Sequence, residues 1–389
     1  MEKVKRTCPG EPSLQVSLGD LQLKNPVLTA SGTFGYAREF ADLLDLSSLG
    51  GVVVKGISLQ PRRGNPPPRI VETAAGMLNA IGLENVGLKR FIAEKMVYLR
   101  ELQTPVIVNI LGDSIEDYRE LAAQLAQVSG ISALEVNISC PNVKKGGVAF
   151  GARSEMAAAV TRAVVNVCDF PVIVKLSPNV TDIVEMALAV EGAGADAVSL
   201  VNTFVGMAID LEKRKPVLAN VIGGLSGPAI KPIALRMVYQ VASAVTIPVI
   251  GIGGIISAQD ALEFLVAGAT AVQVGTANFI NPRASEDVVE GIADYVRRHD
   301  LHSIHDIIGS LDAREAGAAY VDLELRSAAK SWRDLLQARG TGKIIASWHD
   351  FTTTPPRRVL VETLERIKER GADIAKIVTT AESHLDVLR

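Results

Sequence analysis

The stretch from Asn137 to Gly147 holds the residues in this sequence that are best suited to chemistry. Two carboxamides, Asn137 and Asn142, flank the thiol of Cys140, and the pair Gly146–Gly147 predicts a loop. A carboxamide offers donors and an acceptor in one plane, which suits a planar heterocycle, and a thiol can take a proton when its anion is stabilised. An isolated cysteine is more often a small buried hydrophobe, but the asparagines and the glycine loop favour a functional site here.

Eight apolar, β-branched runs, most of them separated by helical patterns, predict the elements that position these groups. Strands alternating with helices predict a parallel sheet, and eight such units predict an α/β fold of the (β/α)8 TIM-barrel type. An open doubly wound sheet is the alternative, but residues 31–35 lack the glycine pattern that it places after its first strand. The predicted strands are 26–30, 51–55, 106–110, 134–138, 172–176, 197–201, 249–252 and 271–274, after a small hairpin of 14–16 and 21–23.

Polar residues and glycines follow the ends of these predicted strands. A barrel carries its functional side chains at the carboxyl ends of its strands, and a structural role alone would scatter polar residues between the two ends. The pattern therefore predicts one site at the mouth of the barrel. Its candidate residues are Ser31, Lys55, Asn109, Asn137 with Cys140, Lys175, Asn202 with Thr203, Gly253 with Gly254, and Gly275 with Thr276.

Two kinds of residue in this set predict the charge of the ligand. The turns Gly253–Gly254 and Gly275–Thr276 follow the last two strands, where barrels commonly bind phosphate through backbone N–H groups. Either of these segments alone could be an ordinary tight turn, but the two together favour a phosphate-binding site. Lys55 and Lys175 are either snorkelling surface residues or cations for a flavin ring or a substrate anion, and their shared mouth favours the second interpretation.

Composition limits the remaining classes of function. The chain has 389 residues and a net charge of −3 without a basic run, so nucleic acid is not an expected partner. Its three cysteines lack the spacing of a disulfide framework or a zinc site, so no metal is expected. Residues 1–13 form a polar leader without the apolar core of a signal peptide, and no apolar run reaches the length of a membrane span. We expect a cytoplasmic protein.

Residues 14–311 resemble the dihydroorotate dehydrogenases, flavin enzymes of pyrimidine synthesis. Cys140, where the membrane-bound class has serine, indicates the soluble class 1. The overall sequence is similar to the NAD-linked subtype 1B, whose catalytic subunit forms a homodimer core in a heterotetramer with an electron-transfer subunit carrying FAD and a [2Fe–2S] cluster. The fumarate-linked subtype is the alternative. The match is carried by NAIGL (79–83), NISCPN (137–142), VKLSP (174–178), VNT (201–203), GGLSG (223–227) and GT (275–276).

The resemblance implies FMN as the cofactor and Cys140 as the base that takes a proton from C5 of dihydroorotate, while a hydride leaves C6 for N5 of the flavin. A free thiol is mostly protonated at neutral pH, and Lys55 is the candidate cation for its anion. The implied FMN contacts are Ser31, Lys55, Gly56, Asn109, Asn137, Lys175, Val201, Gly227, Gly253, Gly254, Gly275 and Thr276. The implied substrate contacts are Lys55, Asn79, Ala80, Ile81, Gly82, Leu83, Asn137, Asn142, Asn202 and Thr203.

Two other functions fit parts of the pattern. A different FMN barrel could act on another pyrimidine, but the whole segment 79–83 beside Asn142 argues against it. A non-catalytic scaffold could carry the tail as an interaction module, but site residues on every predicted strand argue against that. Reduction of the flavin by dihydroorotate distinguishes the first alternative, and failure to bind FMN would favour the second.

The tail, residues 312–389, is predicted to hold strands at 319–324, 343–347 and 374–378 and helices at 327–338 and 357–370. From about residue 317 it resembles an internal piece of the type I 3-dehydroquinate dehydratases, themselves (β/α)8 enzymes. The match is carried by YVDLE (320–324), IASWHDF (345–351) with Thr354–Pro355, and GADIAKIV (371–378).

That second resemblance implies a possible site in the tail. His349 would be the general acid/base, Glu324 its orienting partner and Lys376 the Schiff-base lysine, which its apolar neighbours would desolvate. The strands that flank this piece in the family are absent, together with the late arginine that holds the substrate carboxylate. We expect a non-catalytic remnant with unpaired sheet edges, and a dehydratase completed in trans is the alternative.

Overall fold

The computed structural model describes residues 12–138, 150–311, 320–325, 332–333, 336, 343–350 and 355–379, apart from the side chains of 320–322, 324, 349, 350, 357 and 379. The chain divides into two compact units, the larger of Met1–Ala242 and Ile247–Ser310 and the smaller of Ser243–Thr246 and Leu311–Arg389.

The larger unit contains sixteen strands in its described part. In chain order they are β1 (Val16–Leu18), β2 (Leu21–Leu23), β3 (Val27–Thr29), β4 (Val52–Ile57), β5 (Ile70–Thr73), β6 (Gly76–Asn79), β7 (Val106–Ile110), β8 (Ala133–Asn137), β9 (Val172–Lys175), β10 (Ala197–Leu200), β11 (Phe204–Met207), β12 (Ile209–Asp210), β13 (Lys215–Pro216), β14 (Ile222–Ser226), β15 (Val249–Ile252) and β16 (Ala271–Val274).

The helices of this unit follow the strands as the sequence pattern predicts. They are α1 (Gly87–Arg90), α2 (Met96–Leu99), α3 (Ile115–Leu125), α4 (Ser154–Val165), α5 (Ile183–Glu191), α6 (Lys231–Ala242), α7 (Ala258–Val266), α8 (Ala277–Ile280) and α9 (Ala284–Arg298), with a π-helical turn at Phe91–Lys95 between the first two. Short 3-10 helices lie at Arg38–Phe40, Leu46–Ser48, Phe150–Ala152, Pro228–Ile230 and Ile304–Asp306.

Eight of these strands form one parallel sheet in the order β3-β16-β15-β10-β9-β8-β7-β4. A bridge between Leu28 and Gly51 joins its two ends, and the backbone N–H of Thr29 donates to the Gly51 carbonyl at 3.3 Å. All eight predicted strands are present, so the predicted (β/α)8 barrel is confirmed. Most of their residues are fully buried, since parallel strands are covered by side chains inside the barrel and by helices outside.

The structure corrects the predicted amino-terminal hairpin. Its first strand is Val16–Leu18 rather than residues 14–16, because Leu18 pairs directly with Leu21 across a two-residue turn. Gly19 takes a positive φ of 59° in that turn. This register buries the side chains of Val16, Leu18 and Leu23 together.

A four-stranded antiparallel sheet that the sequence pattern did not reveal adds to the barrel, in the order β11-β14-β6-β5. Its strands belong to the segments that follow barrel strands β4 and β10. β6 ends at Asn79, the first residue of the predicted substrate segment, and β11 begins directly after Thr203. The extra sheet therefore holds predicted substrate residues from two distant parts of the chain.

The smaller unit contains a parallel sheet, β17 (Tyr320–Glu324), β18 (Lys343–Asp350) and β19 (Ile374–Thr379), and the helix α10 (Arg357–Glu369). Of the predicted helix at 327–338, residues 332, 333 and 336 are described, and they are helical. Trp332, Ile344, Ala346, Trp348 and Ile367 form its buried cluster with Leu325. The three predicted strands and the predicted helix at 357–370 are thus present.

Candidate active site

The mouth of the barrel contains a cavity of about 380 Å³ at the carboxyl ends of the strands. Its walls come from the ends of β3, β4, β8, β9, β10, β15 and β16 and from the antiparallel sheet. Predicted FMN residues on its walls are Ser31, Lys55, Asn137, Lys175, Val201, Gly227, Gly253, Gly254, Gly275 and Thr276.

A second compartment of about 290 Å³ adjoins the first. The predicted residues on its walls are Ser31, Lys55, Gly56, Asn79, Ala80, Ile81, Gly82, Leu83, Asn109, Asn137, Asn202 and Thr203. Lys55, Asn79, Asn137, Asn202 and Thr203 line both compartments. The structure therefore brings the described members of the predicted set to one place. Cys140 and Asn142 lie outside the described residues.

Backbone geometry at Gly253 and Gly254 shapes one end of the larger cavity. Both have positive φ, 127° and 75°. A Cβ on Gly254 would lie 2.7 Å from Lys231 Cβ and 2.9 Å from the Gly227 carbonyl oxygen. Nearby, the Thr276 hydroxyl donates to Ser226 Oγ at 2.8 Å. Exposed backbone and hydroxyl groups at adjoining strand ends suit an anion such as a phosphate.

An ion-pair cluster behind this end fixes the loop between β15 and α7. Lys231 Nζ lies 2.6 Å from Asp260 Oδ1 and 2.9 Å from Glu263 Oε2. Partial burial acts to lower the pKa of Lys231, but these two carboxylates raise it overall. The other oxygen of Asp260 accepts from the backbone N–H groups of Ile256 and Ser257. This carboxylate therefore ties the glycine loop to the start of α6.

Glu135 is a buried carboxylate that the sequence reasoning missed. It lies on β8, fully buried, where a strand pattern predicts an apolar side chain. Asn109, Ser199 and Gln273 donate to it at 2.7, 2.9 and 2.7 Å, and the Lys175 ammonium lies 3.5 Å away. A glutamate inside an otherwise aliphatic strand was the available signal. The network shows that Lys175 is a buried cation of the barrel interior rather than a snorkelling surface residue.

Lys55 lies at the wall that the two compartments share. Burial lowers its pKa below the usual 10.5, and the carboxylate of Glu84 partly offsets that effect. Glu84 forms an ion pair of 2.5 Å with Arg69, and both residues line the larger cavity. Arg69 and Glu84 were not among the predicted site residues, because no local pattern distinguishes them from ordinary surface charges.

Three features of the walls fit a planar cofactor with a phosphate. Asn109 Oδ1 is buried and has no hydrogen-bond partner among the described residues, so it can accept from a ring N–H. A Cβ on Gly32 would meet no protein atom within 4 Å, and one on Gly275 would be no closer than 3.4 Å to its neighbours. The protein itself does not fill these spaces, which leaves them for a ligand.

The fold and this mouth define a (β/α)8 barrel with a two-compartment site and a glycine cradle for an anion. Comparison with known proteins agrees with that class. A sequence profile for the family described as Dihydroorotate dehydrogenase matches residues 13–296, and one for Type I 3-dehydroquinase matches residues 297–389. The chain belongs to the dihydroorotate dehydrogenase family, and the predicted resemblance is confirmed.

Similar relatives are each named dihydroorotate dehydrogenase B (NAD(+)), catalytic subunit. The protein from Geotalea daltonii is 58% identical over 301 residues, covering 77% of this chain and 99% of the relative. That from Trichlorobacter lovleyi is 59% identical over 302 residues, covering 78% and 99%. That from Geobacter metallireducens is 57% identical over 300 residues, covering 77% and 98%. In the described part of the chain, no helix is both long and apolar enough to cross a membrane.

The smaller unit places its three predicted site positions on one face of its sheet. Glu324 pairs with Ser347, and Ser347 pairs with Lys376. His349 lies two residues along β18, so it shares that face. The Lys376 side chain is exposed. The expected desolvation of this lysine is therefore wrong.

Proposed function

We propose that the barrel, as a domain of residues 14–311, oxidises dihydroorotate to orotate in pyrimidine synthesis, with FMN in the larger compartment and the substrate in the smaller one. The shared wall of the two compartments carries this proposal. Two occupants that both touch Lys55, Asn79 and Asn202 would lie against each other, as hydride transfer requires.

The glycine cradle would hold the FMN phosphate, Lys175 would face the flavin ring in the larger compartment, and Asn109 would reach the edge of the ring from the adjoining smaller compartment. When bound, FMN supplies the acceptor for the hydride from C6 of the substrate. The ammonium of Lys55, at the wall that the two compartments share, would hold the substrate anion, while the segment 79–83 and Asn202 would bind the pyrimidine. Cys140 is the proposed base for the C5 proton, with its thiolate becoming a thiol in that step.

We propose that electrons leave through a separate subunit carrying FAD and a [2Fe–2S] cluster, and finally reach NAD. The relatives' name, catalytic subunit, supports a second subunit. The chain contains three cysteines, Cys8, Cys140 and Cys168, fewer than the four of a typical iron–sulfur site. A homodimer core within a heterotetramer in the cytoplasm completes the proposal.

An anaerobic half-reaction tests both the activity and the acceptor. Dihydroorotate added to the purified chain should bleach the flavin absorbance, and fumarate should restore it slowly or not at all. Rapid recovery with fumarate would contradict the NAD-linked assignment and favour the fumarate-linked subtype. A flavin that stays oxidised would show that dihydroorotate is not the substrate. A chain that does not bind FMN would favour the non-catalytic scaffold.

For the tail, residues 312–389, we propose a non-catalytic remnant. A Schiff-base lysine needs a desolvated site that favours its neutral, nucleophilic form, and the structure does not bury Lys376. The exposure of Lys376 supports this proposal over a dehydratase completed in trans. The aligned positions of Glu324, Ser347 and Lys376 belong to the inherited fold and do not require activity.

A further inference from the structure

Glu135 accepts hydrogen bonds from side chains on four other strands of the barrel, β7, β9, β10 and β16. Ser199 and Gln273 donate to its Oε1, while Asn109 Nδ2 donates to its Oε2 and Lys175 Nζ lies 3.5 Å from that same oxygen. The carboxylate has no measurable exposure, and the Lys175 side chain is 7% exposed. A charge buried so deeply is retained only when it is paired.

An ionised carboxylate can only accept, so it dictates the orientation of each neighbouring amide. Asn109 must turn its NH2 group toward Glu135, and its Oδ1 must then point the other way. Gly56 lies on that other side, since a Cβ on Gly56 would be 2.7 Å from Asn109 Oδ1. Gly56 and Asn109 both line the smaller compartment. Asn109 thus presents an acceptor, and not a donor, beside the compartment.

Because the Glu135 carboxylate can only accept hydrogen bonds, it also fixes the orientation of Gln273 and the position of Lys175. Gln273 donates to Glu135 through Nε2, which leaves its Oε1 to accept from the Lys175 ammonium at 3.3 Å. Lys175 lines the larger cavity. Its positive charge at the cavity is therefore balanced by one buried negative charge directly behind it.

We propose that Glu135 is a positioning residue for the cofactor. It fixes Asn109 with its acceptor toward the mouth, and it balances the charge that Lys175 presents to the flavin ring. This inference rests on FMN binding as proposed above. Glu135 itself lines neither compartment and acts through these two side chains.

The charge balance predicts the direction of a measurable change. Reduction adds negative charge to a flavin ring, so a nearby positive charge favours the reduced form. Glu135→Gln removes the negative charge of the carboxylate from beside the Lys175 ammonium and so makes the electrostatic potential at the cavity more positive. Reduced FMN should then gain affinity relative to oxidised FMN by at least about tenfold, which raises the two-electron midpoint potential by about 30 mV.

The experiment measures the midpoint potential of FMN bound to the full chain, by anaerobic reduction against a reference dye. Glu135→Gln should raise it. Ser199→Ala is the matched control, because it removes a donor from the same buried carboxylate and keeps the charge, so its potential should stay at the wild-type value. Equal potentials in all three proteins, or equal shifts in both variants, would overturn the role of Glu135.

A second comparison covers the case in which Glu135→Gln does not fold without the buried carboxylate. The double variant Glu135→Gln/Lys175→Met removes both charges of the pair together, so it leaves neither charge behind without the other. Its midpoint potential should stay close to the wild-type value, because the positive and negative charges are lost together. A potential about 30 mV or more below wild type would show that Glu135 does not balance Lys175, and would refute the proposal. A wild-type chain that binds no FMN would refute the proposed function instead.

Discussion

Gly275→Ala should weaken FMN binding without destabilising the apoprotein. Gly275 follows β16 at the wall of the larger cavity. An added Cβ would lie 3.4 Å from Ala30 Cβ and 3.9 Å from Thr33 Oγ1, which are ordinary van der Waals contacts, and its backbone has no positive φ. Nothing in the described protein therefore requires glycine at this position. We expect glycine to be required at this position because bound FMN would approach the backbone closely.

The expected loss follows from the hydrogen bonds that a displaced phosphate would give up. Moving the phosphate away from one backbone N–H forfeits a charge-assisted bond worth about 1.5–3 kcal/mol, which lowers FMN affinity roughly 10- to 150-fold. The apoprotein should keep its free energy of unfolding within about 0.5 kcal/mol, as for other substitutions without clashes.

Gly254→Ala is the contrasting variant. Its φ of 75° disfavours a side chain, and a Cβ would lie 2.7 Å from Lys231 Cβ and 2.8 Å from the backbone nitrogen of Lys231. It should destabilise the apoprotein itself by about 1–3 kcal/mol. Thermal unfolding of both apoproteins and titration with FMN by fluorescence quenching separate the two effects. Wild-type FMN affinity in Gly275→Ala would refute our assignment of the cradle.

Three further outcomes are expected. Cys140→Ser should bind FMN and orotate but lose most turnover near neutral pH, and near-normal turnover would remove Cys140 from the mechanism. Because burial lowers the pKa of Lys55, the native apoprotein releases this proton before the unfolded chain does. The unfolding free energy of the wild-type apoprotein minus that of Lys55→Met should therefore increase as the pH rises from the lowered pKa toward 10.5. If denaturant titrations gave the same difference at pH 7 and at pH 10, this prediction would be wrong. Lys376→Ala should leave dihydroorotate oxidation unchanged. If the wild-type chain dehydrated 3-dehydroquinate and Lys376→Ala did not, the tail would be active.

The barrel could be predicted because its signals are local. Each strand is a short apolar run, and each is followed by a polar residue or glycine whose place at the mouth follows from the parallel topology. The predicted bounds of β7, β15 and β16 match the structure. The amino-terminal hairpin was wrong by two residues because the apolar run allows both registers, and only the Leu18–Leu21 pairing across the turn decides between them.

The parts that were missed depend on contacts between distant residues. The antiparallel sheet pairs Asn79 with Gly224, positions about 145 residues apart, and no local sequence pattern indicates such a pairing. Arg69 and Glu84 became site residues through the same sheet. Lys376 was expected to be desolvated by its apolar neighbours in sequence, but the exposure of a strand side chain depends on what packs against its face of the sheet.

Glu135 shows how a residue can be decisive for a site that it does not touch. The sequence identified Asn109 and Lys175 by their places at strand ends, yet it left open which atom of the amide faces the cavity and how the ammonium is balanced. Both answers follow from one carboxylate on β8, which accepts and cannot donate. A neutral residue there would permit either orientation of Asn109 and would remove a negative charge from beside Lys175. The polarity of the mouth is therefore set from inside the barrel, one layer behind the residues that we expect to contact FMN.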